Sequence, residues 1–142
     1  MTAEERAPPE GFVLAEKRGP FTRHNGPIFV RPGEVAQQGF YALDRHCNGL
    51  GIVHGGMLAS FIDGLLGHAC GLAVRAPAVT VHLSLDYLSM AREGDWIEGE
   101  ARVVRHARDI VFVEGRAFVG PKDVIRASGV FKVMERRPRR GA

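Results

Sequence analysis

The sequence predicts an α+β fold in which an antiparallel sheet wraps around one long helix. Apolar residues recur at helical spacing from about Gly55 to Gly71, which gives a helix one buried stripe. Four strand-like segments follow, and the first of them, Ala78 to Leu88, alternates apolar with polar side chains. One long helix before four long strands is typical of a sheet that covers a single helix.

Shorter elements are predicted before the helix. Gly11 to Lys17 is compatible with either a short helix or a strand, and the residues leave this choice open. Ile28 to Val30 is a predicted strand between turns rich in glycine and proline. Gln37 to Leu43 is a second predicted strand that leads into a polar, glycine-rich loop. We expect the long helix to end near Gly71.

Short polar turns separate the four strands of the second half. Because strands joined by such turns pair antiparallel with their neighbours, each strand is expected to lie beside the next one in the chain. The predicted ranges are Ala78 to Leu88, Trp96 to His106, Ile110 to Gly120 and Val124 to Met134.

Length and composition indicate one globular domain. The chain has 142 residues, of which 45% are hydrophobic and 25% charged, which suffices for one core. We expect a flexible tail over residues 1–10, a single domain over residues 11–135 and a basic tail over residues 136–142. The longest uncharged run, Cys47 to Ile62, is broken by glycines and polar residues, so no membrane span is expected.

Charge and cysteine content narrow the class of function. The net charge is +3, but arginines crowd the end of the chain, so no nucleic-acid partner is expected. Two cysteines, Cys47 and Cys70, do not make a disulfide framework, which favours a cytoplasmic location. The histidines lack the spacing and acidic third ligand of a zinc site, so neither a metal nor another cofactor is expected.

The predicted helix carries a single acidic residue, Asp63. At 100° per residue, Asp63 lies on one line with Gly56, Ser60 and Gly67, on the side away from the apolar stripe. A carboxylate on such an apolar helix is costly unless hydrogen-bond donors or water surround it. Asp63 is therefore the candidate catalytic residue, and Gly56 and Ser60 are candidate substrate-binding positions.

The loop before the helix offers hydrogen-bond donors that could act together with the Asp63 carboxylate. Gly55 and Gly56 at the helix start present backbone N–H groups without intrahelical acceptors, and the helix dipole adds positive potential there. This environment suits a developing oxyanion. Asn48 and His54 add side-chain donors. Each feature has an ordinary explanation, in which Gly55 and Gly56 form a turn and Asp63 faces solvent. Only the combination of the glycines, the side-chain donors and the carboxylate favours a functional site.

These residues form a motif: Asn48, five residues, the triplet His54, Gly55 and Gly56, six residues, and Asp63. The motif resembles the signature of hot-dog-fold acyl-CoA thioesterases of the phenylacetate-degradation (PaaI-like) type, and the resemblance extends over roughly residues 39–133. It implies a hot-dog fold and hydrolysis of an acyl-CoA or aryl-acyl-CoA thioester to the free acid and coenzyme A.

The resemblance also implies a role for each residue. Asp63 would act as nucleophile or general base, a choice that the residues leave open. The Gly55 N–H would lie in the oxyanion hole, and Asn48, oriented by His54, would hold the thioester or the water. Thr80, early in the strand after the helix, would assist the attacking water, although its match to the family pattern is looser.

The family implied by the resemblance assembles its site across a dimer. A homodimer at least is therefore expected, as is a homotetramer built as a dimer of dimers.

A hot-dog hydratase or dehydratase is an alternative function, since such an enzyme would pair a histidine with a carboxylate, as His54 and Asp63 could. A non-catalytic acyl-CoA-binding protein is another. Cys47 could also be a nucleophile that His54 activates. This alternative requires that a base is held against the sulfur atom, which spacing in the sequence does not show.

Overall fold

A computed structural model describes residues 2–16 and 18–135, which form one seven-stranded sheet and a long central helix. Short 3-10 helices lie at Ala3–Glu5 and Asp44–His46. The predicted basic tail, residues 136–142, lies outside the described residues. In chain order the helices and strands are β1 (Val13–Leu14), α1 (Pro20–Asn25), β2 (Phe29–Val30), β3 (Ala36–Tyr41), α2 (Gly55–Val74), β4 (Ala78–Tyr87), β5 (Trp96–Ala107), β6 (Ile110–Val119) and β7 (Lys122–Val133).

The strands lie in the order β1-β2-β3-β5-β6-β7-β4, and all these neighbours pair antiparallel. The predicted pairing of successive strands is confirmed for β5 with β6 and for β6 with β7. It is wrong for β4, which pairs with β7 instead of β5. Because β3 and β6 occupy the two edges of β5, no edge of β5 remains for β4.

The buried stripe of α2 packs against the inner face of the sheet. Its buried residues are Leu58, Phe61, Ile62, Leu65, Leu66, Ala69 and Cys70. Glycines in the sheet allow the close approach, since a Cβ atom on Gly99 would lie 2.6 Å from Cδ2 of Leu65. The predicted α+β fold, an antiparallel sheet around one long helix, is confirmed.

The end of α2 differs from the prediction. The helix continues through Gly71 to Val74, because Leu72 to Val74 add a further apolar turn. Arg75 then adopts the left-handed conformation, with φ of 51°, and donates its N–H to the Gly71 carbonyl at 2.9 Å. A left-handed residue of this kind commonly ends a helix. The sequence indicated Gly71 as the stop because glycine is usual in that position.

The structure decides between a helix and a strand in the segment Gly11 to Lys17, which the sequence left open. Residues 13–14 form a strand, β1, that pairs with β2. Pro20 begins α1, since its fixed φ suits the first helical position. Residues expected in the N-terminal tail contact the sheet, where the Arg6 guanidinium lies 4.2 Å from the centre of the Tyr41 ring and the Tyr41 hydroxyl donates to the Ala7 carbonyl.

Within the described residues, α2 also meets the length and apolarity of a membrane span, with 20 residues and a mean hydropathy of 1.5. Seven of its residues are buried inside the fold. The core helix of a sheet-wrapped domain has the same length and apolarity, so these two properties do not distinguish a core helix from a membrane span.

Candidate active site

Backbone hydrogen bonds close the glycine-rich loop before α2. The Asn48 N–H donates to the Ile52 carbonyl at 2.8 Å, and the Val53 N–H donates to the Ala91 carbonyl at 2.8 Å. The Asn48 side-chain oxygen accepts from the N–H groups of Leu50 and Ile52 at 2.9 and 3.3 Å. Asn48 is therefore held by its own loop through Oδ1, and its exposed Nδ2 group is left as the donor that can meet a ligand.

His54 caps α2 with its ring. Nδ1 of His54 accepts from the Gly56 N–H at 2.8 Å, and the orientation of Asn48 by His54 that the resemblance implied stays a prediction. The expectation that both glycine N–H groups are available is therefore wrong for Gly56. The reason is that an imidazole takes the place of the usual Ser, Thr, Asp or Asn cap. The Gly55 N–H has no acceptor among residues 2–16 and 18–135, so it keeps the geometry of a free donor at a helix start.

The Asp63 carboxylate has one hydrogen bond to another residue in the described part of the chain. The Thr80 hydroxyl of β4 donates to Oδ1 of Asp63 at 2.7 Å. Asp63 is half-buried, whereas Thr80 is exposed on the edge strand, next to a register shift between Thr80 and His82. The Thr80 hydroxyl can still accept a hydrogen bond from water while it holds the carboxylate. The structure thus joins Thr80 to Asp63, and the expected role of Thr80 toward the attacking water stays a prediction.

The surface beside Asp63 is open and built from small residues. The Ser60 hydroxyl donates to the Gly56 carbonyl at 2.9 Å, so it is directed back along the helix. A Cβ atom on Gly64 would meet nothing within 4 Å. Gly56 is exposed and Ser60 half-buried. An extended ligand can therefore lie along this side of α2 and reach the carboxylate without displacing a large side chain.

The structure does not bring all predicted site residues together within one chain. Gly55 and Asp63 are eight residues apart on one helix, which places them about 12 Å apart along its axis. A reacting carbonyl needs its attacking group within about 3–3.5 Å and its oxyanion donors in hydrogen-bond contact. The chain therefore holds two separate groups of site residues, here called half-sites: an acid half-site of Asp63 and Thr80, and a donor half-site of Gly55 and Asn48.

Two residues that the sequence did not single out support the donor half-site. The Tyr87 hydroxyl donates to the Gly55 carbonyl at 2.7 Å, which anchors the first turn of α2 to the end of β4. His46, only 2% exposed, accepts from the Leu43 N–H through Nδ1 and donates to the Asn25 carbonyl through Nε2 at 2.6 Å. Tyr87 lies 32 residues from Gly55, and Asn25 lies 21 residues from His46, so no local signal identifies these two contacts.

Burial of His46 makes the stability of the fold depend on pH. Burial lowers the pKa of His46, with the Asn25 carbonyl acting in the opposite direction. Because the unfolded histidine titrates near 6.5, the unfolded chain binds the proton first as pH falls. We expect the free energy of unfolding to be highest above pH ~6.5 and to fall below it, by at most about 1.4 kcal/mol per pH unit for this group. The free energy of unfolding stops falling once the pH is below the lowered pKa that His46 has in the folded state.

Denaturant unfolding at pH 8.0 and at lower pH values tests this dependence. His46→Gln should flatten the loss below neutrality, although the variant starts from lower stability because two buried hydrogen bonds change. His24→Gln, which alters an exposed histidine, is the control and should keep the slope of the unsubstituted protein. Equal slopes for both variants would contradict the assignment. His68, whose pKa is also lowered by burial, supplies a second contribution in the same direction.

Cys47 lies in the loop but is not prepared for nucleophilic attack. Burial raises the pKa of its thiol, and nearby Glu93 and Asp44 raise it further. Its Sγ donates to the Leu43 carbonyl at 3.4 Å. These conditions favour the thiol over the reactive thiolate. In the described ranges, no group of three or more His, Cys, Asp or Glu side chains is arranged to hold a metal ion.

Comparison with known families identifies the chain. The family model for the thioesterase superfamily matches residues 50–125, more than half of the sequence. The chain belongs to the thioesterase superfamily. That span begins in the glycine-rich loop, includes all of α2 and Thr80, and ends in β7. Both half-sites of this thioesterase-superfamily domain, apart from Asn48, thus fall inside the region that defines the family.

Individual relatives agree with this assignment. A presumed esterase of Pseudomonas aeruginosa is 38% identical over 128 residues, which cover 87% of this chain and 95% of the relative. Acyl-coenzyme A thioesterase 13 of Homo sapiens is 31% identical over 116 residues, covering 79% of this chain and 82% of the relative. The recognition of an acyl-CoA thioesterase family and the expected class of enzyme, a thioester hydrolase, are confirmed.

Solved structures confirm the fold. The PaaI protein from the phenylacetic acid degradation operon of E. coli superposes with a TM-score of 0.76 at 19% identity, covering 84% of this chain and 87% of that one. A conserved protein from Pseudomonas aeruginosa gives a TM-score of 0.78 at 24% identity, covering 84% and 99%. The hot-dog architecture implied by the motif is therefore the architecture of this thioesterase-superfamily member.

Proposed function

We propose that this protein hydrolyses an acyl-CoA or aryl-acyl-CoA thioester to the free acid and coenzyme A, with Asp63 as nucleophile or general base. The observation that carries the proposal is the hydrogen bond from the Thr80 hydroxyl to the Asp63 carboxylate, 2.7 Å long, on an open strip of small residues. Coenzyme A is supported by the name of human acyl-coenzyme A thioesterase 13 and by a related Bacillus halodurans structure solved with CoA.

The two half-sites can perform the reaction as follows. As general base, Asp63 takes a proton from water, and the hydroxide attacks the thioester carbonyl carbon. The oxyanion that forms accepts hydrogen bonds from the Gly55 N–H and from Nδ2 of Asn48. The carbon–sulfur bond then breaks, and the departing thiolate takes up the proton that Asp63 holds, which leaves Asp63 ionised again. As nucleophile, Asp63 would form an anhydride that water opens in a second step.

We infer that the working site is shared between two copies of the chain, because the half-sites of one copy are about 12 Å apart. β4 is an edge strand with β7 on one side only, and it pairs with no other strand among the described residues. Its side chains Val79, Val81 and Tyr87 are half exposed or more. An unpaired apolar edge of this kind is suited to pairing with a second β4.

A homodimer built in this way is our minimum assembly, and we propose a homotetramer formed as a dimer of such dimers. We also propose a cytoplasmic location, because the two cysteines, Cys47 and Cys70, are free and suit a reducing compartment. Neither proposal affects the chemistry of the half-sites. The molecular mass of the protein in solution tests the tetramer, and cell fractionation tests the cytoplasmic location.

The hydratase alternative is disfavoured by His54. Its Nδ1 is engaged by the Gly56 N–H, and it lies nine residues before Asp63, about 13 Å along the chain direction of α2. The histidine and carboxylate of one subunit therefore do not act on the same bond. Pairing of His54 with Asp63 of a second subunit would still be compatible with a hydratase, so the reaction itself has to be measured.

Thiol release over a panel of acyl-CoA chain lengths and aryl-acyl-CoA thioesters tests the proposed reaction. We expect release of coenzyme A from at least one thioester, with the acyl preference visible in kcat/KM. Hydration of enoyl-CoA without thiol release would instead identify a hydratase. Binding of acyl-CoA in calorimetry, without turnover of any thioester or enoyl-CoA, would identify a non-catalytic binding protein.

Thr80 should contribute through its hydroxyl. Thr80→Val keeps the shape of the side chain but removes the hydrogen bond to Asp63, so we expect kcat to fall by about 10-fold to 100-fold, the range for a hydrogen bond to a charged group. Thr80→Ser keeps the hydroxyl and is the matched control, with turnover within a fewfold of the unsubstituted enzyme. Equal turnover of both variants would remove Thr80 from the acid half-site.

A further inference from the structure

A small cavity lies between α1, α2 and β3. Its volume is about 30 Å³. One water molecule needs about 10–15 Å³ of such space, so the cavity holds a group of two or three heavy atoms and is too small for an aromatic ring. The described polar side chains that line it are those of Arg18, Thr22, Asn25, Gln38 and Ser60. The cavity therefore suits one small polar group at the tip of a ligand.

Arg18 gives the cavity a positive charge. It is the only charged residue among the described residues that line the cavity, and its side chain is half-buried. Within residues 2–16 and 18–135, its guanidinium forms no ion pair and no hydrogen bond. Burial lowers the pKa of Arg18, yet an arginine keeps its proton at neutral pH. A partly desolvated cation without a counter-charge is unfavourable, and a bound anion would offset this cost.

The neighbours of Arg18 add hydrogen-bond donors but no second charge. Gln38 is 2% exposed, and its Nε2 lies 3.2 Å from Nδ1 of His68. Burial and the nearby Arg18 charge lower the pKa of His68, so its ring is neutral at pH 7. When one N–H of the Gln38 amide donates to this ring, the second N–H is left to meet an anion.

The cavity is within reach of the acid half-site. Ser60 and Gly64 line the cavity and also belong to the open strip of small residues beside Asp63. At 100° per residue, Asp63 lies about 110° around α2 from the middle of the cavity wall and about 4 Å along the axis, which makes roughly 10 Å on a helix of about 5–6 Å radius. A group that runs from Asp63 to the cavity thus crosses only small side chains.

This separation sets the length of the group. The reacting carbonyl lies about 3–3.5 Å from the attacking atom, which leaves about 6–7 Å to the cavity. About five or six bonds span this distance, since an extended chain advances about 1.2 Å per bond. The carbon in the cavity is therefore the sixth or seventh of an extended acyl chain.

We propose that the acyl group of the substrate ends in a carboxylate, and that this carboxylate enters the cavity and binds the Arg18 guanidinium. The planar fork of arginine matches the two oxygens of a carboxylate. The substrate class is then the CoA thioester of a dicarboxylic acid of about six or seven carbons, and Arg18 determines the specificity. This inference rests on the proposed thioesterase reaction and names the substrate class of the same site.

Other ends of an acyl group fit the cavity less well. An apolar end would cover the Arg18 guanidinium without giving it a hydrogen-bond acceptor, which adds to the cost of its desolvation. A hydroxyl end would accept a hydrogen bond but would not neutralise the charge. A carboxylate does both, and its two oxygens fill the space of about two water molecules.

Matched pairs of substrates test the proposal. Hexanedioyl-CoA ends in a carboxylate, and 6-methylheptanoyl-CoA has two methyl groups in place of the two oxygens, with the same chain length. Heptanedioyl-CoA and 7-methyloctanoyl-CoA form the second pair. We expect kcat/KM to be about 10-fold to 100-fold higher for the carboxylate of at least one pair, the range for a hydrogen bond between charged groups. Because this ratio compares two substrates on one preparation, it does not depend on how much of a variant is folded.

Arg18→Met removes the charge but keeps a long side chain. We expect it to abolish the preference by lowering kcat/KM for the carboxylate substrate, with a change of no more than a fewfold for the apolar one. Arg23→Met is the matched control, because Arg23 is exposed on α1 and does not line the cavity. Both variants lose one positive charge, so a general attraction for anions would weaken equally in both. The control should keep the preference of the unsubstituted protein.

Calorimetry separates this inference from the proposed reaction. Asp63→Asn chains should bind each CoA thioester without turnover, and the dissociation constants should show the same preference, lost when Arg18→Met is added. This binding preference without hydrolysis of any thioester would contradict the reaction alone. Hydrolysis with equal kcat/KM for both members of each pair, or a preference that Arg18→Met leaves unchanged, would overturn the role of Arg18.

Discussion

Replacing Asp63 with asparagine should reduce kcat for thioester hydrolysis by about 10²-fold to 10⁴-fold, the usual contribution of a positioned acid or base. Asparagine has nearly the same shape and still accepts the hydrogen bond from Thr80 through its side-chain oxygen. It cannot take a proton from water, and it is a poor nucleophile. The loss should therefore appear in kcat, with little change in KM if binding is unaffected.

Thiol release under saturating substrate measures this effect, and denaturant unfolding checks that the fold is intact. Glu34→Gln is the control, because Glu34 is an exposed carboxylate in the turn between β2 and β3, and the strands β5, β6 and β7 separate β3 from β4. The control should keep the turnover of the unsubstituted enzyme. If Asp63→Asn retained turnover within a fewfold of that value, Asp63 would be neither nucleophile nor base.

The central helix and its carboxylate could be predicted from the sequence because both depend on local periodicity. The apolar spacing defined the buried face of α2, and the same angular count placed Asp63 on the opposite, open side. The pairing of β4 with β7 could not be predicted in this way. It follows from the competition of several strands for the edges of β5, which is a property of the whole sheet.

The details of the donor half-site were less predictable for a similar reason. The motif located the loop and the helix start, but it could not show that the His54 ring would take the Gly56 N–H. Histidine is not among the residues that usually cap a helix, so the spacing gave no signal. The contact of His46 with Asn25 joins residues 21 positions apart and depends on how α1 packs against the loop.

Gly55→Pro should reduce kcat by about 10²-fold to 10³-fold, the range for loss of one oxyanion donor. Proline removes the N–H group, yet the site tolerates its ring. Gly55 is the first residue of α2, where proline is common, and His54 has φ of −60° and ψ of 135°, the conformation favoured before proline. Gly55→Ala is the matched control, since it keeps the N–H and adds a Cβ atom 3.4 Å from the Tyr87 ring.

Mixing the two inactive variants tests whether the half-sites act across subunits. A dimer of one Asp63→Asn chain and one Gly55→Pro chain has one site with both substitutions and one site with neither. Random assembly from equal amounts makes half of the dimers mixed, with one of two sites intact, so about one quarter of the original activity should return. A site confined to one subunit would recover none of it, because every copy would then lack either the carboxylate or the donor.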